Sequence, residues 1–453
     1  MKKKVILAFL LLSNFLHAQY EWNYVGEHGF SAGSVSYVDI ELDIGGMPYV
    51  IFTDAGDNNE QKTYRFFQEN WVPTGGGTNP PHLHNSLAIG ANNYPLISSF
   101  GESVAELEVD FIVSIDSQTG TIVQGANYPT NSGNPITGCT MSSIMVYDNS
   151  VAYVAHGTSS NSINVWSNNN YQSTSSNWSS EQVIGGGGSL DFSYDVKLNK
   201  SATAWARANN SGKLSITLDD YGVNNDQITF DGLSDSNAVD IDVEINDNLE
   251  YFVAFKDIAN GGKASVLKFD GVDTWNYLGG AGFTGSQASF IDITSDISGI
   301  PYIVYQDASA GGRLSVRKYN PINDAWEFLG QEGFTEGVGS YCKIEIDNSN
   351  RPIIAFSDGN VNNFVSVMRL EEVLTNDDNQ AHLFSIAPVP ANNILTIQGT
   401  QGIVKARVFD VSGRLILQKK TNGQLNISEL TSGVYSIIIE NKNYIETHQF
   451  VKK

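Results

Sequence analysis

One ten-residue phrase recurs along this chain: WNYVGEHGFS at Trp22–Ser31, WNYLGGAGFT at Trp275–Thr284 and WEFLGQEGFT at Trp326–Thr335. Its spacing constrains the fold more than any other feature, because a period of 20–50 residues is the mark of a solenoid or a propeller. Trp22 and Trp71 are 49 residues apart, and Trp275 and Trp326 are 51 apart. The gaps Trp71–Trp178 (107) and Trp178–Trp275 (97) are each close to two periods. Seven near-equal stations therefore fit the span, the two without tryptophan falling near Tyr128 and Ile228.

A second phrase repeats in step: DIGGMPYVIFTD (Asp43–Asp54), NDNLEYFVAFKD (Asn246–Asp257), DISGIPYIVYQD (Asp296–Asp307) and DNSNRPIIAFSD (Asp347–Asp358). Each runs from a turn rich in Gly, Asn or Asp through β-formers to an aspartate. Weaker copies at Asn93–Ile97, Val151–Ala155 and Ala202–Ala206 bring this count to seven as well. Each unit offers four short strands, as at Gln287–Ser295, Ile300–Gln306, Arg313–Tyr319 and Ala325–Gly330. No stretch holds a helical period, so the class is all-β. Four strands in about fifty residues, seven times over, predict a seven-bladed β-propeller over 19–370. The opening Trp22–Gly26 is an outer-strand phrase with no inner strands before it, while the last unit lacks its own. The N-terminal strand is thus expected to close the last blade and remove an open sheet edge.

The ends carry addresses. Lys2–Lys4, the apolar run Val5–Leu12 and Ala18 before Gln19 read as a signal peptide over 1–18. The apolar run is too short to anchor in a bilayer, and no later segment approaches twenty apolar residues, so no transmembrane segment is expected. Residues 371–381 read as a polar linker. The stretch 382–453 holds six or seven short strands, which suggests a small Ig-like β-sandwich.

Three motifs lie in this tail: Phe384–Ile397 around Pro388 and Pro390, Val408–Arg414 with Asp410, Gly413 and Arg414, and Leu430–Tyr435 with Gly433 and Tyr435. In this order and spacing they resemble the type IX secretion C-terminal sorting domain of Bacteroidetes. The family's usual Pro-Asn-Pro reads Pro388-Val389-Pro390 here. The resemblance implies export across the inner membrane, passage through the outer membrane by the type IX machinery as partner, and a protein secreted or attached to the outer cell surface. It says nothing of what the body binds.

The formal net charge is −23, while 382–453 carries eight basic and four acidic side chains. An acidic body repels phosphate backbones and excludes nucleic acid as a partner. Candidate site residues are few. Asp54, Asp257, Asp307 and Asp358 end the second strand of their units, on the expected ligand face. They suit either a cation, with calcium as the candidate cofactor, or sugar hydroxyls; the bland alternative is capping of the next turn. Phe30, Phe283 and Phe334 suit wedging between blades, or sugar stacking. His82 and His84 would share one face of an extended strand and could begin a metal site, though no third ligand is identifiable. Glu106, Glu108 and Asp110 share a strand face, which a solvated surface explains as well as paired acid–base chemistry does. Cys139 and Cys342 read as two separate buried thiols. No nucleophile elbow, phosphate loop or zinc-protease helix is present. The expected function is a binding or adhesion module for a glycan or protein, acting through the loop-rich face. The alternatives are a secreted polysaccharide-degrading enzyme and a passive structural surface protein.

Overall fold

The computed structural model describes residues 19–76, 82–89, 95–101, 107–115, 122–126, 130–131, 134–135, 139–146, 152–158, 162–168, 178–184, 189–198, 200–207, 210–220, 227–373, 384–400, 402–410, 414–441 and 445–453. The expected signal peptide lies outside them. The chain divides into two compact units at Val373/Leu374. Both are all-β, the only helices among the described residues being single 3-10 turns such as Ile258–Asn260 and Ala308–Ala310. No helix among the described residues is long and apolar enough to cross a membrane.

The first unit contains seven four-stranded antiparallel sheets, each an open sheet in simple sequential order except the last. The sixth is representative: Ala288–Ser295, Pro301–Asp307, Arg313–Asn320 and Ala325–Phe328. Its second strand, PYIVYQD, is buried on both faces, which is why it reads as a continuous apolar run. The first strands of the seven sheets are Val35–Leu42, His82–Ile89, Cys139–Val146, Ser189–Lys197, Ala238–Ile245, Ala288–Ser295 and Gly339–Ile346. Each packs beside the first strand of the next sheet, and the seventh packs beside the first. The apolar core is accordingly sliced between sheets: Phe252, Val266, Ile303 and Tyr305 fill one slice, and Val304, Leu314, Ile354 and Phe356 the next.

The last sheet takes its fourth strand from the other end of the unit. Gln19–Tyr24 pairs antiparallel with Phe364–Val373, in register from Gln19↔Val373 to Tyr24↔Met368. Trp22 stacks on Phe334 at 4.3 Å, as Trp326 stacks on Phe283 at 4.8 Å and Trp71 on Phe30 at 4.6 Å. The indole N–H of each tryptophan also donates to the phrase of the preceding sheet: Trp22 to Leu329 O, Trp326 to Leu278 O and Trp71 to Val25 O. The repeated phrase is thus a latch, its phenylalanine lying against the tryptophan one sheet on. Its first glycine makes room for that ring: a Cβ on Gly279, where φ is +70°, would stand 2.7 Å from Trp326.

The second unit has a three-stranded sheet (Ser385–Ala387, Ile394–Gln398, Gln424–Asn426) and a four-stranded one (Val404–Phe409, Leu415–Thr421, Gly433–Glu440, Ile445–Lys452). Both contribute to one core that includes Phe384, Leu395, Ile397, Val408, Leu425 and Ile437.

Candidate binding channel

The four strand-ending aspartates are 0–2% exposed, and their carboxylates are occupied within the fold. Each caps a 3-10 turn, Asp257 accepting from Asn260 N, Asp307 from Ser309 N and Asp358 from Asn360 N, while Asp54 accepts from Gly56 N. A second bond organises the latch. Ser265, Ser315 and Ser366 donate to Asp257, Asp307 and Asp358 at 2.9 Å, and their oxygens accept from Gly282, Gly333 and Gly29 of the repeated phrase. Asp54 reaches its own loop directly, accepting from Ala32 N at 2.9 Å. As ligand-face candidates these residues are sealed by burial and internal hydrogen bonds, which is the capping alternative. Among the described residues no three His, Cys, Asp or Glu are grouped to hold a metal ion.

The open site is at the centre of the cycle of first strands. A cavity of about 360 Å³ is lined by all seven of them. Five of the first strands carry the same bulge, between Ser36 and Asp39, Leu83 and Ser86, Val239 and Asp242, Ser289 and Asp292, and Ser340 and Lys343. In the bulge Tyr37, His84, Asp240, Phe290 and Tyr341 all hold φ between 49° and 52°. Five non-glycine residues in the left-handed region at equivalent stations is costly, on the order of 1 kcal/mol each, and such strain concentrates at functional sites.

From the bulge onward, alternate residues face the cavity in three layers. The rim layer holds Tyr37, His84, Met141, Phe290 and Tyr341. Its rings touch in series: His84 to Tyr37 at 4.5 Å, Tyr37 to Tyr341 at 5.6 Å and Tyr341 to Phe290 at 5.0 Å. The middle layer holds Asp39, Ser86, Ser143, Ser193, Asp242, Asp292 and Lys343. It stitches neighbouring strands, Asp39 accepting from Leu87 N, Ser86 from Ile144 N, Ser193 from Val243 N, Asp242 from Ile293 N and Asp292 from Ile344 N. Lys343 donates to Asp292 at 2.5 Å. The floor layer holds Glu41, Met145, Asp195, Glu244, Thr294 and Glu345. All six also line a second cavity of about 550 Å³, so the passage continues beyond the floor.

Charge is crowded here. Burial pushes Asp39 and Asp195 up to about 6, against the opposing pull of Lys343 on Asp39 and of a backbone hydrogen bond on Asp195. Burial first, then neighbouring carboxylates, raises Glu41, Glu244 and Glu345 well above the usual range. Burial opposes the charge on Lys343, but Asp292, Asp242 and Asp39 outweigh it and raise its pKa. Burial lowers His84 to about 4, so it presents a neutral ring at the rim. The arrangement can stack a flat ligand on the aromatic rim and offer carboxylate acceptors below it.

Of the other sequence candidates, His84 reaches the rim, whereas the side chains of His82, Glu106, Glu108, Asp110 and Cys139 lie outside the described residues. Cys342 is a buried free thiol that donates to Phe290 O at 3.0 Å. In the second unit Asp410 accepts from the Arg414 backbone at 3.0 Å and from its Nε at 3.1 Å. Gly433 opens its strand, and Tyr435 OH donates to Thr431 O at 2.9 Å. Pro388 and Pro390 lie on an exposed turn, and Gly413 lies outside the described residues. The channel itself was missed by sequence reasoning. Its signal is the recurrence of charged residues at alternate positions, Asp39/Glu41, Asp242/Glu244 and Lys343/Glu345, inside strands otherwise rich in Val and Ile.

Solved structures similar to this chain include a protein of unknown function from Dyadobacter fermentans DSM 18053 (10% identity, 78% of this chain and 98% of that one, TM-score 0.46). Another is the SapL1 lectin in complex with alpha methyl fucoside (11% identity, 66% and 97%, TM-score 0.44). A third is the extracellular domain of a putative hybrid two-component system from B. thetaiotaomicron (8% identity, 95% and 57%, TM-score 0.44). No curated protein matches the chain. Residues 385–453 match the family model of the secretion system C-terminal sorting domain. A chain with this tail is type IX secretion cargo, and the protein is secreted or attached to the cell surface.

Proposed function

We propose that residues 19–370 form a seven-bladed β-propeller that works outside the cell as a binding module, its ligand a glycan engaged at the aromatic rim of the central channel. Removal of 1–18 would leave Gln19, the first residue of the closing strand, as the mature N-terminus, with 371–381 as linker to the sorting domain at 382–453. Seven four-stranded sheets with cyclically packed first strands support the propeller. The observation that carries the binding reading is the unbroken series of ring contacts from His84 to Phe290, held in strained backbone over a cavity of ligand size. The repeated aspartates are scaffold in this reading, and calcium has no part in it.

The test is a glycan-array screen of the mature protein with and without calcium, beside the Tyr37→Ala/Tyr341→Ala variant. Specific binding that survives chelation and disappears in the variant is the expected result. Binding untouched by the variant would move the site elsewhere. Silence on the array together with turnover of a plant or algal polysaccharide would replace the binding module by an enzyme.

A further inference from the structure

We infer that the channel selects glycans carrying protonated amines, such as chains of unacetylated hexosamine, over their neutral counterparts. This rests on the binding module reading above and names the ligand class of the same site.

The middle and floor layers together place seven carboxylates around one cavity: Asp39, Asp242 and Asp292, then Glu41, Asp195, Glu244 and Glu345. Lys343 is the cation among them, and Lys197 lies beyond the floor, held to Asp247. Acidity alone would be a solvated lining. Two further observations point to a ligand. First, most of these carboxylates have structural partners: Asp39, Asp195, Asp242 and Asp292 all accept backbone N–H groups of a neighbouring strand. Glu244 and Glu345 do not. They face the cavity half-buried, with no hydrogen bond or ion pair, each among further carboxylates that outweigh the one opposing cation, Lys197 for Glu244 and Lys343 for Glu345. A carboxylate held among like charges without a partner has lost much of its hydration, and a cation there regains it. Second, the approach to them is aromatic. Tyr37, Phe290 and Tyr341 offer π faces that attract ammonium groups as well as stacking sugar rings.

The geometry also separates organic cations from metal ions. Calcium needs six to eight oxygens within about 2.6 Å. No trio of the described residues is gathered that closely, and the carboxylates are instead distributed around a cavity of about 360 Å³. A ring that stacks on the rim while its ammonium group points toward the floor meets both halves of the site.

The experiment is calorimetric titration of the mature protein at neutral pH and low salt with three probes: a glucosamine oligomer, the matching N-acetylglucosamine oligomer and spermidine. The glucosamine oligomer should bind at least about tenfold more tightly than its acetylated twin, a difference of about 1.4 kcal/mol. The preference should collapse in Glu244→Gln/Glu345→Gln. That variant breaks no hydrogen bond, and its melting transition verifies that it is folded. Equal binding of the two oligomers, lost in Tyr37→Ala/Tyr341→Ala, would overturn the charge selection and leave the rim reading standing. Spermidine binding with neither oligomer bound would overturn the glycan reading. No binding of any probe would overturn the inference.

Discussion

Removing Gln19–Tyr24 tests how the first unit is held closed. Trp22 is half-buried, stacked on Phe334 and bonded to Leu329 O at 3.2 Å. Truncating a tryptophan in such a place costs about 3 kcal/mol. The deletion also strips six paired positions from Phe364–Val373. At roughly 1 kcal/mol for each net hydrogen bond, that adds several kcal/mol. It uncovers Met368 and Leu370, now 5% and 3% exposed, along a bare strand edge. The sum approaches the whole stability of an ordinary domain, about 5–15 kcal/mol. Trp326→Ala is the control, since it removes an equivalent stack and bond but leaves every strand in place. For a unit of this size 1 kcal/mol moves Tm by about 1–2 °C, so the control should melt about 3–6 °C lower and remain monomeric. The deletion should lose its cooperative melt or oligomerise, as read by circular dichroism and light scattering. A truncated protein that stays monomeric with an unchanged melting transition would refute the closure argument.

Channel acidity predicts a pH profile, measured as urea midpoints at constant ionic strength in a His84→Phe background. Carboxyls whose folded pKa is raised contribute stability below about pH 4 that is lost as pH rises through about 6. Between pH 5 and 8, Asp39 and Asp195 should each cost about 1.4 kcal/mol, with Glu41, Glu244 and Glu345 adding in the same direction. His84, lowered to about 4, works in the opposite sense and so is removed. The depressed carboxyls Asp231, Glu250 and Asp296 act only near pH 4 and below. Stability that is flat or rises from pH 5 to 8 would contradict the buried acid layers. Asp257→Ala should cost about 1–3 kcal/mol in thermal melts by orphaning Ser265 and the Asn260 cap, and leave ligand binding intact. Trp275→Phe should cost less than Trp326→Phe by about 1 kcal/mol, because the Trp275 indole nitrogen is buried without a partner whereas that of Trp326 is bonded to Leu278 O.

Much of this architecture was legible because each unit must solve the same packing problem, so the same residues recur. Four strands per unit, the aspartate at the end of the second, the phenylalanine between sheets and the strand shared between the two ends were all readable from periodicity. The central channel was not. Asp39, Asp242 and Asp292 sit in strands whose alternation looks like an ordinary half-exposed sheet, and nothing local says that the polar face meets six others rather than bulk water. The rim was hidden for another reason. Tyr37, Phe290 and Tyr341 reach the cavity through a bulge that shifts register, and a bulge between two β-formers leaves no glycine or proline to announce it. The aspartates misled in the other direction, since a carboxylate at a strand end looks exposed until its serine and turn partners are placed.

The seam between Phe364–Val373 and Gln19–Tyr24 uses the same latch as the internal junctions, with Phe334 on Trp22 where Phe283 lies on Trp326. Gln19 and Val373 are direct partners across that seam. The position of the chain ends in the cycle is therefore interchangeable. A short linker joining 373 to 19 would make the seam an ordinary connection, and a cut in the exposed 321–324 turn would make new ends without touching a first strand. The first unit is in this sense a circular object that happens to be written as a line.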